Sequence, residues 1–332
     1  MDGPPKELLK HKEEASRFSF DSSAAEVAAG VDLRGKTAVI TGASGGLGAE
    51  TARVLASRGA TIVIGARDVP KAQKVAAEIR TATGRSDAAE VAALELGSRA
   101  SIRTFAESVL ISHPKIHMLI NNAGVMACPL ERIEHGYEMQ LGTNHLGHFL
   151  LAGLLAPALR RAAPARIVCV SSSGHRFSTV NFEDPHYHKR PYDKWEAYGQ
   201  SKTANIWHAL ELDRRLAPDG VRAFAIHPGA IMTELGRHLK PEDIETLRSR
   251  ASGGGGIRWK QVPQGAATQV WAATAPELEG RGGLYLEDSH VAGPSQDLNA
   301  QRGYAPWAYD LEGAARLWPV SEQMVGTKFD WS

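Results

Sequence analysis

The sequence TGASGGLG (residues 41–48) follows the apolar run TAVI (residues 37–40), and four of its eight residues are glycine. Glycine destabilises regular structure by about 0.5–1 kcal/mol relative to alanine, so this composition requires a reason. One explanation is a tight turn between a strand and a helix. The other is a phosphate-binding loop, in which backbone N–H groups and a helix N-terminus approach an anion closely.

Composition limits the classes of protein that need to be considered. The chain has 332 residues, 43% hydrophobic and 23% charged, as is typical of a globular protein. Its net charge of +1 gives no indication of nucleic acid or an anionic membrane as a partner. The two cysteines, Cys128 and Cys169, suggest a reducing compartment. The polar N-terminus is unlike a secretory signal, and the longest apolar stretch falls short of the roughly 20 residues of a membrane span. We therefore expect a cytoplasmic protein without a membrane span.

Apolar segments alternate with amphipathic segments from residue 31 onward. The expected strands are residues 36–41, 60–65, 91–96, 116–120, 166–170, 221–226 and 283–286, and the clearest helices are 48–58 and 69–83. Strands that are apolar throughout are buried on both faces. The sequence therefore predicts an α/β fold with a single Rossmann-type, doubly wound parallel sheet and helices on both faces.

The domain boundaries follow from the same pattern. Residues 31–295 form the expected dinucleotide-binding and catalytic domain. Residues 1–30 are an N-terminal extension that either packs across the domain surface or stays partly disordered. Residues 296–332 are a C-terminal tail, which Trp307, Trp318 and Trp331 are expected to hold against the domain.

The end of the second strand bears on which cofactor the glycine loop would bind. Strand, glycine-rich turn and helix in this order make a dinucleotide site credible. An NAD-preferring site has an acidic residue at the tip of this strand, where it binds the ribose 2′-hydroxyl. Here Ala66 occupies the tip and Arg67 follows, and a guanidinium can bind a 2′-phosphate. We therefore expect NADP(H), while the neighbouring Asp68 keeps NAD(H) open as the less favoured alternative.

Tyr198 and Lys202 are four residues apart, so a helix places them on one face. The pKa of a phenol is near 10, and a neighbouring ammonium lowers it, so the pair can act as an acid–base group. The alternative for an isolated pair of this kind is a half-buried tyrosine beside an exposed lysine. Three serines (residues 171–173) follow the fifth strand, and NNAG (residues 121–124) follows the fourth.

These motifs together, in this order and spacing, resemble classical short-chain dehydrogenases/reductases over roughly residues 31–295. The similarity is greatest to the retinol-dehydrogenase-like and WW-domain-oxidoreductase-like branch, on AEVAAGVDLRGK (residues 25–36), GARD (65–68), LGTNHLGHF (141–149) and GGLYLED (282–288). The resemblance implies that Tyr198 transfers the proton and that Lys202 lowers its pKa and holds the nicotinamide ribose. Ser172, or failing it Ser173, would bind the substrate oxygen, and Asn144 would organise a water linking Lys202 to solvent.

The resemblance also implies a set of cofactor-binding residues. They are Gly42, Ser44, Gly46, Leu47, Gly48, Arg67, Glu95, Leu96, Asn122, Ala123, Gly124, Tyr198, Lys202, Pro228, Gly229, Ile231 and Thr233. Glu95 stands where the family usually has an aspartate that meets the adenine, and is a departure from the family pattern. No metal is expected, because His145, His148, His186 and His188 lack an accompanying set of ligands at metal-binding spacing. Cys169 is expected to be an inert core thiol, and Cys128 to border the substrate pocket.

The sequence thus predicts an NADP(H)-dependent oxidoreductase that interconverts a carbonyl and an alcohol. The substrate is expected to be a small apolar molecule, aromatic, steroid-like or retinoid-like, with Met126, Trp195 and Met232 near it. The alternative is an NADP(H)-binding regulatory sensor without significant turnover. Residues 174–197 and 232–262 are expected to wall the pocket, the second as a lid. A homodimer or homotetramer stays open.

Overall fold

The computed structural model describes residues 12–250 and 256–331, without the side chain of Arg250. The strands of these residues are β1 (Thr37–Thr41), β2 (Thr61–Ala66), β3 (Ala89–Ala93), β4 (Met118–Asn121), β5 (Ala165–Val170), β6 (Val221–His227), β7 (Ala230–Ile231), β8 (Trp259–Lys260), β9 (Leu284–Glu287) and β10 (His290–Val291). The helices are α1 (Ala24–Val27), α2 (Gly46–Ser57), α3 (Val69–Thr83), α4 (Arg99–Ser112), α5 (Met139–Leu141), α6 (Gly147–Arg161), α7 (Lys194–Leu216), α8 (Pro241–Arg250), α9 (Val262–Thr274) and α10 (Leu311–Val325).

Eight strands form the central sheet in the order β10-β9-β6-β5-β4-β1-β2-β3. All neighbouring pairs are parallel except β10 with β9. Helices α1, α2, α3 and α9 cover one face, and α4, α6, α7 and α10 cover the other. This architecture confirms the predicted doubly wound α/β fold. Strand order reverses between β1 and β4, and ligands of such sheets bind outside the strand ends at that reversal.

The third strand differs from the sequence prediction. Residues 91–96 were the expected strand, whereas β3 spans Ala89–Ala93. Pairing with β2 starts at Ala89, opposite Ile62, and the N–H of Glu95 donates to the Ser101 hydroxyl at 2.9 Å. The Ser101 hydroxyl on α4 thus accepts the hydrogen bond that a neighbouring strand would otherwise accept from Glu95. Residues 94–96 turn toward the carboxyl ends of the strands.

Both chain ends lie against the domain where the structure describes them. Glu14 forms an antiparallel bridge with Val291 at the β10 edge, with N···O distances of 3.0 and 3.1 Å. At the other end, Trp318 packs edge-on against Phe149 and Trp331, at ring centroid distances of 4.8 and 5.4 Å. These tryptophan contacts agree with the expected anchoring of the tail. No helix among residues 12–250 and 256–331 has the length and apolar character needed to cross a bilayer.

The hydroxyl of Thr41, at the end of β1, joins three parts of the chain. It accepts hydrogen bonds from the backbone N–H groups of Asn122 and Ala123, each at 3.0 Å. It also lies 2.8 Å from Nε2 of His148 on α6. Nδ1 of His148 is 2.9 Å from the Asn144 carbonyl and must donate to it, so Nε2 accepts the Thr41 proton. This arrangement requires a neutral ring, and burial lowers the pKa of His148 to about 4.

Removing this hydroxyl is expected to cost more stability than removing another buried threonine hydroxyl. Thr41→Val keeps the shape but leaves the Ala123 N–H and His148 Nε2 without their partner, a loss of about 2–5 kcal/mol in the free energy of unfolding. The matched control is Thr51→Val, whose fully buried hydroxyl makes a single 3.3 Å bond to Gln269. Urea denaturation measures both, and equal losses would contradict a special role for Thr41.

Candidate active site

A cleft of about 660 Å³ lies across the carboxyl ends of the parallel strands. The glycine loop borders one end, and residues 287–302 border the other. Every residue of the expected cofactor-binding set lines this cleft, from Gly42 in the loop to Thr233 after β7. Of the expected catalytic residues, Ser172, Tyr198 and Lys202 line it, and Asn144 does not.

The glycine loop has no room for side chains at its key positions. Gly42 has a φ of +71°, and a Cβ there would lie 2.9 Å from the Cα of Ala123. A Cβ on Gly48 would lie 2.5 Å from Nδ2 of Asn122. The backbone of the loop therefore packs directly against neighbouring chain. The N-cap residue Gly45 has no side chain to bind the first N–H groups of α2, so these groups are uncapped at the cleft. Unpaired N–H groups and the helix dipole suit a pyrophosphate at this point.

Asn122 ties the fourth strand to the first. Its Nδ2 donates to the Thr41 carbonyl at 2.9 Å, and its Oδ1 accepts from Gln269 at 3.1 Å. This is the strand-tying contact expected of NNAG. The backbone of Gly124 lies close to two side chains, since a Cβ there would be 3.0 Å from Oδ1 of Asn144 and 3.8 Å from Nζ of Lys202.

Arg67 and Glu95 face each other at the adenosine end of the expected cofactor site. β2 ends at Ala66, and the Arg67 guanidinium, 74% exposed, lies 3.7 Å from the Glu95 carboxylate. Glu95 also accepts a hydrogen bond from the N–H of Gly97 at 3.0 Å. Asp68 caps α3 by accepting from the N–H of Lys71 at 3.0 Å. The acidic residue beside Arg67 is thus engaged with its own helix.

Ser172 and Tyr198 form the central pair of the cleft. Ser172 follows β5, where its hydroxyl accepts from the N–H of Gly174 at 3.0 Å and starts the 3₁₀ turn Ser173–Phe177. The Tyr198 hydroxyl, 3% exposed as a residue, is hydrogen-bonded to the Ser172 side chain. Ser173 instead uses its backbone N–H to bind His227. The geometry therefore singles out Ser172 as the partner of the tyrosine.

Burial determines the proton affinities of the tyrosine and lysine. It raises the pKa of Tyr198 to about 12, against a smaller lowering by the Ser172 hydrogen bond. It lowers the pKa of Lys202 to about 8. The lysine ammonium donates to the Val170 carbonyl at 3.0 Å and lies 5.6 Å from the centroid of the Tyr198 ring. Burial is thus the largest cause acting on the pKa of Tyr198, and the expectation that Lys202 lowers this pKa stays a prediction.

Asn144 lies behind the cleft, in a π-helical turn Gly142–Leu146 that precedes α6. It is fully buried, and its amide binds the N–H and C=O of Val125, at 2.8 and 2.9 Å, and the Ser201 hydroxyl at 2.9 Å. These hydrogen bonds do not include Lys202, whose ammonium donates to Val170. In this structure Asn144 positions the strand that follows NNAG and the helix that carries Tyr198. Its expected role in organising a water stays a prediction.

The segments expected to wall the pocket do so in part. Residues 174–197 line the cleft only at their two ends, through Gly174, Arg176, Phe177 and Trp195. Their middle packs elsewhere, as His186 stacks on Tyr137 at 4.6 Å. Residues 232–250 line it more extensively, and the Lys194–Asp243 ion pair of 2.5 Å holds α8 against α7. Residues 251–255, which include three glycines of the expected flexible run, lie outside the described residues.

Two histidines considered as metal ligands, His145 and His186, are hydrogen-bonded within the protein, and the expected absence of a metal stays a prediction. His145 binds the Ser321 hydroxyl at 2.8 Å, and His186 accepts from the N–H of Glu138 at 3.2 Å. In the described part of the chain no group of three His, Cys, Asp or Glu side chains could hold a metal. Burial raises the pKa of Cys169 to about 12. Cys128 is also fully buried and does not line the cleft, so its expected place at the pocket border is wrong.

Sequence reasoning missed the far end of the cleft. Its lining includes Phe20, Arg176, His227, Arg258, Glu287, Asp288 and Arg302. His227 and Glu287 are the last residues of β6 and β9, so the rule that ligands bind at carboxyl ends of strands could have found them. Phe20 comes from the N-terminal segment, and no pattern in the sequence indicates its position.

Two curated relatives match most of the chain. Retinol dehydrogenase 12 of Homo sapiens is 41% identical over 300 residues, which cover 90% of this chain and 89% of that protein. Short-chain dehydrogenase/reductase prx1 of Penicillium roqueforti is 40% identical over 300 residues, which cover 89% of this chain and 86% of that protein.

Solved structures show the same fold. An uncharacterized protein from Mycobacterium Paratuberculosis has a TM-score of 0.71 at 35% identity, covering 92% of this chain and 98% of that chain. The RhlG/NADP active-site complex of Pseudomonas aeruginosa has a TM-score of 0.61 at 26% identity, covering 77% and 95%. The 3-ketoacyl-(acyl-carrier-protein) reductase from Brucella melitensis complexed with NADH has a TM-score of 0.59 at 26% identity, covering 77% and 97%.

The family assignment rests on sequence and fold together. The sequence model described as short chain dehydrogenase matches residues 36–243, which contain the glycine loop, Ser172, Tyr198 and Lys202. The chain belongs to the short-chain dehydrogenase/reductase family, and it is an oxidoreductase of the kind that acts on CH–OH groups of small molecules with NAD(P)(H).

Proposed function

We propose that this protein is an NADP(H)-dependent oxidoreductase that interconverts a carbonyl and an alcohol, with Tyr198 as the acid–base group. The observation that carries the proposal is the hydrogen-bonded pair of Ser172 and Tyr198 at the centre of a cleft that has the bare N-terminus of α2 at one end. The helix N-terminus suits a phosphate, and the central pair suits a substrate oxygen. A single extended dinucleotide would join them.

The residues of the cleft fit such a cofactor. Gly42 and Gly48 leave the backbone open to a pyrophosphate, where a Cβ would collide with neighbouring chain. Gly229 does the same near the centre, since a Cβ there would lie 2.8 Å from Cδ of Lys260. In this proposal Lys202 holds the nicotinamide ribose, and residues 228–233 hold the carboxamide and phosphates. The nicotinamide supplies or accepts the hydride when bound.

Tyr198 and Ser172 act on the substrate oxygen. A pKa of about 12 keeps Tyr198 protonated at neutral pH, so it can donate a proton to the oxygen of a carbonyl undergoing reduction. The Ser172 hydroxyl provides a second donor toward the negative charge that develops on that oxygen. With a pKa of about 8, Lys202 is mostly protonated at neutral pH and adds a favourable charge nearby.

The preference for NADP(H) rests on Arg67. Ala66 at the tip of β2 offers no carboxylate to a ribose 2′-hydroxyl, and the Arg67 side chain is 74% exposed at the rim. Its pairing with Glu95, at 3.7 Å and with both groups exposed, contributes little stability and can be exchanged for a 2′-phosphate. Asp68 caps its own helix and does not take the place of the missing acid.

An apolar body is the substrate class that the middle of the cleft favours. Met126, Phe177, Trp195 and Met232 line it, and Met232 is 63% exposed. One relative is named for retinol, which is an apolar alcohol. Aromatic, steroid-like or retinoid-like compounds therefore stay the proposed class.

The regulatory sensor remains the alternative. A sensor requires the glycine loop but not a buried tyrosine bound to a serine hydroxyl beside a buried lysine, and these three side chains favour turnover. The remaining proposals are a cytoplasmic location, a homodimer or homotetramer, and a catalytic unit of residues 31–295 flanked by extension and tail.

Cofactor preference gives the first test of the site. NADP(H) is expected to bind at least about tenfold more tightly than NAD(H), or about 1.4 kcal/mol. Arg67→Ala should remove most of that difference, because it removes the cation at the end of β2. Calorimetric titration with both cofactors measures it, with Arg53→Ala on α2, also an exposed and ion-paired arginine, as the matched control. Equal affinities in the unaltered protein would rule out the role of Arg67.

The acid–base role predicts a loss of turnover without a loss of cofactor binding. Tyr198→Phe keeps the ring and removes the proton donor, and should lower kcat by on the order of 10²–10⁴. The control is Tyr137→Phe, whose hydroxyl binds the Met324 carbonyl outside the cleft. NADPH absorbance with a panel of carbonyl compounds follows the reaction. Near-normal turnover in Tyr198→Phe, or no turnover of any carbonyl by the unaltered protein, would contradict the assignment.

The lid role of residues 232–262 gives a further test. Glu234 pairs with Lys71 on α3, so this segment reaches across the cleft from β7 to the far helix. Cofactor and substrate together should slow hydrogen exchange there beyond cofactor alone. Trp195→Ala should raise KM for bulky substrates more than for small ones. Unchanged exchange, with KM shifts independent of substrate size, would remove the segment from the substrate pocket.

A further inference from the structure

The far end of the cleft is rich in positive charge. Arg176, Arg258 and Arg302 line it, together with the acidic residues Glu287 and Asp288, and Lys260 is buried beside Asp288. It lies beyond the Ser172–Tyr198 pair, on the side away from the glycine loop, at the carboxyl ends of β6 and β9. Its lining contrasts with the apolar middle of the cleft.

Some of these charges neutralise one another. Lys260 lies 2.7 Å from Oδ1 of Asp288, and Arg302 lies 3.3 Å from Oε1 of Glu13 and 3.9 Å from Oδ2 of Asp288. Two cations and two carboxylates are accounted for in this way. The remaining groups are Arg176, Arg258 and Glu287.

Arg176 is 4% exposed and still lines the cleft. Its Nη2 donates to the carbonyls of Arg302 and Gly303, which fix the orientation of the guanidinium without neutralising it. Its buried Nε has no hydrogen-bond partner among residues 12–250 and 256–331, and no carboxylate of those residues forms an ion pair with it. The guanidinium is hydrogen-bonded to two neutral carbonyls, and its charge also acts on the buried Glu287 nearby, so an anion at Arg176 would have to share it with that carboxyl group.

Arg258 provides a second cation at the rim. Its guanidinium lies 3.9 Å from the centroid of Phe20, and Lys260 lies 4.8 Å from the same ring. Within the described parts of the chain, Arg258 forms no ion pair with a carboxylate. The N-terminal segment therefore orients this arginine through a ring contact, which leaves its charge available.

Glu287 is the group that could oppose an anion here. It is buried, accepts from the N–H of Gly303 at 2.6 Å, and its Oε2 has no partner among the described residues. Burial raises the pKa of Glu287 to about 7, so near neutral pH part of the population is uncharged. Its protonated form can donate a hydrogen bond to an anion. The net charge of the three remaining groups stays positive.

The spacing to the reacting atoms also suits a bifunctional substrate. Ser172 caps the 3₁₀ turn Ser173–Phe177, and Arg176 lies within that turn, four residues after Ser172. At a rise of about 2 Å per residue, this places their backbones about 8 Å apart along the turn. A carbonyl bound to Ser172 and an anion bound to Arg176 can belong to one small molecule.

We propose that the far end of the cleft is an anion subsite, in which Arg176 and Arg258 bind a carboxylate of the substrate. The inference rests on the proposed carbonyl–alcohol function and narrows its substrate class. Preferred substrates are aldehydes or ketones with an apolar body and a carboxylate at the end opposite the carbonyl. The phosphate-binding loop is separate and takes no part in this subsite.

The test compares matched aldehydes in the presence of NADPH. 4-Formylcinnamate should exceed its methyl ester in kcat/KM by on the order of tenfold or more, because charge-assisted hydrogen bonds replace a neutral contact. The ratio should fall with added salt. Arg176→Gln and Arg258→Gln should bring it close to one, whereas Arg53→Gln should leave it unchanged. Arg258 is exposed, so its variant is informative even if the Arg176 variant does not fold.

A binding measurement separates this proposal from the proposed function. Cinnamate should quench the fluorescence of Trp195 and Trp259, which line the cleft, with an affinity that drops on the order of tenfold in Arg258→Gln. Cinnamate binding without turnover of any aldehyde would support the subsite and contradict the function. Turnover with equal rates for acid and ester would support the function and overturn the subsite. A preference for 4-(trimethylammonio)benzaldehyde would also overturn it, in favour of Glu287 and Asp288 as a cation site.

Discussion

The hydroxyl of Thr41 holds together the point at which the strand order reverses. It accepts from the N–H groups of Asn122 and Ala123 and donates to a neutral His148, whose other nitrogen donates to the carbonyl of Asn144. One oxygen thus connects the start of the glycine loop, the loop after β4 and the π-helical turn before α6. The glycine loop and the loop after β4 bound the cofactor end of the cleft, and the π-helical turn binds Val125, just after the loop that follows β4. The relative positions of these three segments therefore depend on the hydrogen bonds of Thr41. The low pKa of His148 keeps these hydrogen bonds intact at neutral pH.

Burial is the second constraint, and it acts on Tyr198 and Lys202 in the same sense. A phenol loses stability in its charged form and so becomes a weaker acid, while an ammonium becomes a stronger one. Both shifts favour the neutral species. At neutral pH Tyr198 is therefore a protonated phenol that can donate a proton, and little phenolate is present to remove one. A motif of tyrosine and lysine four residues apart suggests that the lysine lowers the pKa of the tyrosine. In the structure the Lys202 ammonium donates to the Val170 carbonyl instead, and desolvation is the largest influence on the pKa of Tyr198.

Local patterns made the fold and the cofactor end predictable. Apolar runs, a glycine-rich turn and helix periodicity are each encoded within about fifteen residues, and α3 coincides with the predicted range. What could not be predicted depends on tertiary contacts. β3 ends early because a serine on α4 takes the N–H of Glu95. Asn144 lies behind the cleft because both its amide groups satisfy the backbone of Val125, and Phe20 reaches the far end only because residues before it pair with β10.

One end of the cleft is formed by backbone groups and the other by side chains. This difference explains why the sequence predicted the first end and not the second. The glycine loop binds through backbone groups, so its chemistry requires particular residues at particular spacing in one short segment. The far end is built from side chains of the N-terminal segment, the turn after β5, β8 and the end of β9, which are distant in sequence. Backbone recognition tolerates few substitutions because a Cβ at Gly42 or Gly48 would collide with neighbouring chain. The side chains at the far end carry no such restriction, since exposed groups such as Arg258 can change without disturbing the sheet. A chain of this fold can therefore keep its cofactor end and alter the substrate it accepts through the residues of the far end alone.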